Sequence, residues 1–244
     1  MLCNTKNVGA AVITSASNPR LKLVRKLQSG RQRRKLGLFV VEGEDLVEAG
    51  AAAGLEPVDV LRAGEDVSAE LLAEAATLAH PPRVVAVFRT VDLPRLDASN
   101  RLLLGLALWH VADPGNVGTI VRTADALGPA FVALSAGCAD PTGAKALRGS
   151  AGAIFRVPTC RFDEAPGRRI ALVARGGRPL PEVDLAGEVC FVLGAEREGL
   201  PPDLVAGCDE VATIPLAAAA ESLNVAVAAA IALYECASRR GPGR

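Results

Sequence analysis

The sequence predicts an α/β protein in two units, a small N-terminal one and a larger C-terminal one built on a parallel sheet. Three observations carry this. Short apolar runs alternate along the chain with segments of helical pattern, as in βα units whose strands are buried on both faces. Ala, Val, Leu and Gly dominate while aromatic residues make up only 3%, which favours α/β layers over a β-sandwich. A turn-rich stretch at 91–100, with Pro94, Asp97 and Ser99, divides residues 1–90 from 101–244 and reads as a linker.

In the first unit Ser17-Asn18-Pro19 is a helix start. Residues 20–35 continue the helix, with Leu21, Val24 and Leu27 on one side and Gly30 weakening it midway. Strands follow at 38–41, 58–61 and 84–88, and helices at 44–53 (closed by Gly54) and 68–79.

In the second unit residues 102–111 form a nearly continuous apolar run, as expected of a buried parallel strand. The run ends in the turn signal Asp113-Pro114-Gly115-Asn116. A helix is predicted over 117–127 and stops at Gly128-Pro129. Strands are predicted at 131–134, 170–174, 189–193 and 211–214, and helices at 144–155 and 201–206. The last element, Val225 to Tyr234, is rich in Ala, free of Gly and Pro, and apolar all round. Such a helix packs into a core or against a partner. At ten residues it is too short to cross a bilayer, which takes about 20. Ser222, just ahead of it, is a natural N-cap. Three polar, Gly-bearing loops fall at the carboxyl ends of strands, where open α/β sheets bind ligands: 113–118, 194–199 and 215–224.

Formal net charge is zero, yet residues 1–41 hold nine basic side chains and no acid, leaving 18 basic against 27 acidic in the rest. A basic block of this kind points to a polyanion such as RNA, with Arg20, Arg25, Arg31, Arg33 and Arg34 as the phosphate contacts. The six cysteines form no CxxC pair, and His80 and His110 are the only histidines. A zinc site and a Cys/His nucleophile pair are therefore unsupported, and scattered cysteines in Ala/Val surroundings belong to a reduced compartment. With neither a signal-peptide pattern nor a membrane span expected, the protein reads as cytoplasmic. GxGxxG, GxxxxGK[ST] and GxSxG are all missing from the sequence, so dinucleotide, P-loop and hydrolase-elbow chemistries lack a basis.

Three segments together carry a family resemblance. Asn116-Val-Gly-Thr-Ile-Val-Arg122-Thr-Ala, Gly194-Ala-Glu196-Arg-Glu-Gly199-Leu, and Ile214-Pro215 followed by Ser222-Leu-Asn224-Val resemble, in order and spacing, motifs 1, 2 and 3 of the SpoU (TrmH-like) branch of the SPOUT methyltransferases. The likeness covers about 101–240. Residues 12–90 resemble, more loosely, the family's RNA-binding domain of L30e-like fold. Arg148-Gly-Ser150-Ala-Gly152-Ala-Ile-Phe155 resembles a family segment beside the target nucleotide, which adds Arg148 to the RNA contacts.

The resemblance implies a trefoil-knotted SPOUT domain, S-adenosylmethionine as cofactor, RNA (23S rRNA foremost) as substrate, and a homodimer with the terminal helix in its interface. It implies methyl transfer to a ribose 2′-hydroxyl. Arg122 would stabilise the alkoxide or act as base; Asn116, Ser222 and Asn224 would orient it and the ribose. Glu196 would hold the second loop by accepting backbone N–H bonds. Leu193, Gly194, Ala195, Gly199, Ile214 and Leu223 would frame the adenosine. No metal is implied. Two positions depart from the family pattern: Ala218 stands where Gly is usual, at a cost of about 1 kcal/mol where φ is positive, and Ala226 replaces a frequent Ser. Two other classes share these features: a methyltransferase acting on another RNA acceptor (a tRNA ribose or a base nitrogen), and a non-catalytic RNA-binding protein of the same fold.

Overall fold

The computed structural model describes residues 12–78, 80–96, 104–217 and 221–240; Ala218 lies outside them. Contacts divide the chain after Asp92.

In the first unit the predicted long helix is two, α1 (Pro19–Leu27) and α2 (Gly30–Leu36). The break falls at Gln28-Ser29, immediately ahead of the glycine. Asn18 caps α1 by accepting the Arg20 amide at 2.9 Å, and Leu21, Val24 and Leu27 are buried as their spacing requires. β1 (Leu38–Glu42), α3 (Glu44–Ala52), β2 (Asp59–Arg62), α4 (Ala69–Ala75) and β3 (Val84–Arg89) follow. The strands form an antiparallel sheet in the order β1-β3-β2. α4 ends at Ala75, short of the 79 its pattern predicted, with Ala76 already extended. At 77 the Thr77 amide and hydroxyl donate instead to the buried Glu42 carboxylate on β1.

The second unit begins at Leu93. Arg95 bridges to Thr159, so the start of the turn-rich stretch is part of this unit's sheet edge. β4 (Leu104–Leu108), α5 (Pro114–Leu127), β5 (Phe131–Leu134), α6 (Ala144–Ser150), β6 (Thr159–Arg161), β7 (Arg168–Leu172), β8 (Arg178–Pro179), β9 (Val189–Leu193), α7 (Pro202–Ala206), β10 (Glu210–Thr213) and α8 (Val225–Arg240) complete the chain. The seven strands run in the order β6-β5-β4-β9-β7-β10-β8, and every pairing is parallel. The central strands β4 and β9 are buried throughout, which is why their sequences are continuous apolar runs and not alternating ones.

The order sets the site. β9, β7 and β10 are neighbours, so the segments that follow them share one edge of the sheet. The segment after β4 becomes α5, which packs against α6 and α8. α8 buries Val225, Ala226, Ala229, Ala232, Leu233 and Cys236. Its other face carries Val227 and Tyr234, 47% and 63% exposed, with half-buried Ile231 between them. That is an uncovered apolar stripe at i, i+4, i+7 spacing. Among the described residues no helix is long and apolar enough to cross a membrane.

Candidate active site

α5 begins at Pro114, three residues earlier than its apolar pattern, because Asp113 is its N-cap. The Asp113 Oδ1 accepts the Asn116 amide at 3.0 Å, and Oδ2 pairs with Lys145 of α6 at 2.8 Å. These bonds, Lys145 foremost and the Asn116 amide next, hold the Asp113 carboxyl below the usual carboxylate range. Asn116, on this first turn, is thereby freed from capping and points its side chain outwards to the other loops.

The loop after β9 doubles back on itself. The Gly199 amide donates to the Ala195 carbonyl at 2.9 Å. A Cβ on Gly194 would stand 2.2 Å from the Gly199 carbonyl carbon, so only glycine lets the two backbones meet there. This closure presents Glu196 at the rim. α8 is capped by Asn224, and the predicted cap Ser222 is exposed and makes no bond among the described residues. The Asn224 Oδ1 accepts the amides of Ala226 at 2.9 Å and Val227 at 3.3 Å. Asparagine displaces serine because its oxygen lies one position before the first helical residue, within reach of both free N–H groups.

The three loops are joined by one chain of hydrogen bonds. Asn224 Nδ2 donates to Asn116 Oδ1 at 3.1 Å, and Asn116 Nδ2 donates to Glu196 Oε1 at 2.7 Å. The chain has a direction. Backbone N–H groups, which can only donate, stand at one end, and a carboxylate, which can only accept, at the other. Both amides are therefore locked in one orientation. Glu196 thus takes a side-chain amide from the first loop, not the backbone N–H groups expected of it. Arg122, on the third turn of α5, is exposed and forms no hydrogen bond or ion pair with any described residue. A guanidinium in that state has its whole donor fork available.

At the same edge β7, β9 and β10 deliver the apolar and backbone groups of a cradle. Leu193 is buried, and Gly194, Ala195, Gly199, Ile214 and Leu223 are half-buried. Sequence reasoning missed the segment after β7. Val173 donates to the Ala212 carbonyl at 2.9 Å, and the Gly177 amide donates to Thr213 Oγ1 at 2.9 Å, which seats residues 173–177 alongside β10. The only signal for it was Gly176-Gly177 after an apolar run. Half-buried aliphatic side chains beside close-set backbone suit an adenosine, whose base has apolar faces and a polar edge. These residues fit S-adenosylmethionine.

Thiol chemistry is not what the unit offers. Burial pushes Cys160 up to about 11 and Cys190 up to about 12, so both stay protonated and inert. No cluster among the described residues could hold a metal ion.

The arginines expected to contact RNA divide. Arg33 is 8% exposed and donates through Nη1 to the Leu27 and Gln28 carbonyls at 3.0 Å, closing the end of α1; it is a structural residue, unavailable to phosphate. Arg20 is engaged with both Asp59 oxygens and the Val60 carbonyl, which also holds its guanidinium in the charged form. Arg25 donates to the Ala16 carbonyl at 2.7 Å. Arg31 and Arg34 are exposed, as are Lys22, Lys26 and Lys35, and none of these five pairs with a described residue. Arg148 is exposed on the last turn of α6. A charge run alone could not separate these, because the tertiary partners of Arg20 and Arg33 lie on other elements.

The SpoU rRNA Methylase family model matches residues 104–234, more than half of the chain. The chain belongs to that family. An MRM3-like substrate binding domain model matches residues 18–91. The chain is 34% identical to the 23S rRNA (guanosine(2553)-2'-O)-methyltransferase RlmP of Bacillus subtilis, over 91% of this chain and 97% of that one. Among solved structures, the SpoU methyltransferase AviRb from Streptomyces viridochromogenes, in complex with AdoMet, superposes with a TM-score of 0.82 at 25% identity, covering 93% of this chain and 100% of the other. An AdoMet-bound rRNA methyltransferase from Sinorhizobium meliloti superposes at 0.81 with 28% identity, covering 94% and 98%. The likeness is to the fold of this SpoU methyltransferase in both units. The family model spans the parallel sheet from β4 to β10 and all three loops.

Proposed function

We propose that this protein transfers the methyl group of S-adenosylmethionine to a ribose 2′-hydroxyl of RNA, with 23S rRNA as the substrate. The single observation that carries the reading is the bond chain Asn224–Asn116–Glu196, which gathers all three motif loops at one carboxyl edge. The RNA target is supported by RlmP, named for ribose methylation of 23S rRNA.

A ribose hydroxyl is a weak nucleophile at neutral pH, so the site must place it and stabilise the oxyanion as its proton leaves. When bound, S-adenosylmethionine supplies an electrophilic methyl group on a positively charged sulfur. The aliphatic ends of β7, β9 and β10 would hold its adenosine. Arg122 offers a fixed fork of donors to a phosphate or to the forming oxyanion. Helical side chains lean towards the N-terminus, so Arg122 reaches back along α5 to the loop edge. Arginine stays protonated under working conditions, which favours electrostatic stabilisation over proton abstraction. Asn116, locked at both ends, fixes the geometry of that edge.

The reading extends to assembly and address. The stripe Val227–Ile231–Tyr234 is covered by α8 of a second copy, making a homodimer. The C-terminal unit carries the trefoil knot of its family, and the enzyme works in the cytoplasm. The exposed cations Lys22, Lys26, Arg31, Arg34 and Lys35, with Arg148 on the second unit, supply phosphate contacts. The test is to map ribose methylation of rRNA by primer extension at low dNTP in cells with and without the gene. One stop that vanishes with the gene and returns with it supports the proposal; identical stop patterns in both refute it.

A further inference from the structure

The 194–199 loop also lines a cavity of about 300 Å³. Its walls are Trp109, His110, Ala195, Glu198, Gly199, Leu200 and the Pro201-Pro202 pair. Ala195 and Gly199 are shared with the adenosine cradle; the other side chains are used neither by it nor by the bond chain.

The cavity is built in an unusual way. Trp109 is the only tryptophan of the chain. Its ring lies against His110, centroids 4.5 Å apart and planes within 5°, and its edge meets Phe162 at 5.2 Å. Its amide is pinned to the Leu193 carbonyl at 2.8 Å, so the aromatic wall is tied to the strand that starts the second motif. His110 holds a left-handed backbone, φ 54, which is uncommon outside glycine. Its amide donates to Ser135 Oγ at 2.9 Å. Gly137 packs so closely that a Cβ there would stand 2.5 Å from the imidazole ring. A strained residue held this firmly is a reason to look for function. Two prolines, already stiff, and the exposed Glu198 also line the cavity.

We infer that this cavity is a guanine-binding subsite for the RNA substrate. The inference rests on RNA being the substrate. Single-stranded RNA is read by placing an unstacked base against aromatic side chains, histidine included, and hydrogen-bonding its Watson–Crick edge. The volume is at the small end of ligand pockets, about 300–1,000 Å³, and suits one base. Glu198 selects which one. An ionised carboxylate accepts only, on two oxygens. Of the four RNA bases only guanine presents two adjacent donors, its N1–H and N2 amino group, to such a pair. Adenine and cytosine each place a ring acceptor beside the amino group, and uracil has a single N–H between two carbonyls, so a carboxylate repels one of their atoms.

Trp109 reports on its own pocket. The experiment titrates the full-length protein, without cofactor, with the pentaribonucleotides UUGUU, UUAUU and UUUUU while exciting tryptophan selectively, and repeats it with Glu198→Gln. UUGUU quenches Trp109 and binds at least about ten-fold more tightly than the other two, and Glu198→Gln reduces that preference below about two-fold. No quenching, equal affinity for the three oligonucleotides, or a preference that survives Glu198→Gln overturns the proposal. So does quenching by S-adenosylmethionine alone that blocks UUGUU, which would give the cavity to the cofactor. Ribose methylation of rRNA, assayed on the same preparation, is independent of these outcomes. Its presence with a failed titration leaves the enzyme assignment standing and removes only the guanine subsite.

Discussion

Asn116 is where the three loops are tied, so its replacement tests the architecture most sharply. Asn116→Ala deletes a 2.7 Å bond to a carboxylate and a 3.1 Å bond to an amide. Both are partly exposed, so the stability cost is about 1–2 kcal/mol, readable as a shift of the urea midpoint. The catalytic cost is larger, because a misplacement of about 1 Å at a reacting edge lowers rate on the order of 10²-fold. Asn116→Asp separates position from charge. It keeps an acceptor for Asn224 but puts a second carboxylate against Glu196, and two such groups cannot both ionise without repulsion. One of the pair then has a raised pKa, and the shared proton restores a bond at low pH. The activity of Asn116→Asp relative to wild type rises as pH falls, whereas the ratio for Asn116→Ala is flat. The assay is single-turnover methylation of the mapped RNA, with S-adenosylmethionine affinity measured in parallel. A double mutant with Asn224→Ala loses less than the sum of the single losses, as expected of contacting residues. If Asn116→Ala keeps more than about a third of the wild-type rate, under about 1 kcal/mol of barrier is at stake and the bond chain is not part of catalysis.

Three further outcomes follow from the same geometry. Replacing Lys26, Arg31 and Arg34 with glutamine lowers the log–log salt slope of RNA binding by about two units. Arg33→Gln instead leaves the Leu27 and Gln28 carbonyls short of a donor and costs about 1–3 kcal/mol of stability; an unchanged slope in the first variant refutes the basic face. Wild-type protein sediments as a dimer at micromolar concentration, while Val227→Asp, whose side chain is exposed on the single chain, sediments as a folded monomer by circular dichroism; a monomeric wild type contradicts the α8 interface. Asp113 has a lowered pKa in the fold, so its contribution to stability is complete above the ordinary aspartate value, about pH 4, and is lost as pH falls through the folded value. Asp113→Asn therefore narrows the stability gap between neutral pH and pH 3, and an unchanged gap refutes the role.

Much of this was legible in the sequence where one kind of information was enough. Strands β5 and β9 match their apolar runs residue for residue, since burial along a parallel strand writes itself as continuous hydrophobicity. β6 and β8, three and two residues long, were missed because edge strands that short carry no periodicity. Gly30 was read as a weak point, and the chain broke there into two helices. The polar residues of the three motifs were found, but their wiring was not: the capping of α8 was given to Ser222 in place of Asn224, and Glu196 was assigned backbone partners. Each of those depends on which loop lies beside which, and strand order β9-β7-β10 is not written in local pattern. The fate of Arg33 likewise depended on a turn six residues away. Trp109-His110 carried no local signal at all, because a left-handed histidine is made by its tertiary surroundings.

The most direct test of the central claim is the chemical position of the transferred methyl group. RNA is incubated with wild-type protein and S-adenosylmethionine labelled in the methyl group, then digested to nucleosides and separated, with Arg122→Ala run alongside. The account predicts label in a single 2′-O-methylnucleoside that blocks alkaline cleavage at its 3′ side, and a rate about 10²–10³-fold lower for Arg122→Ala, the loss typical of one preorganised oxyanion donor. Label in a base-methylated nucleoside, or no label under conditions where the cofactor is bound, would contradict it.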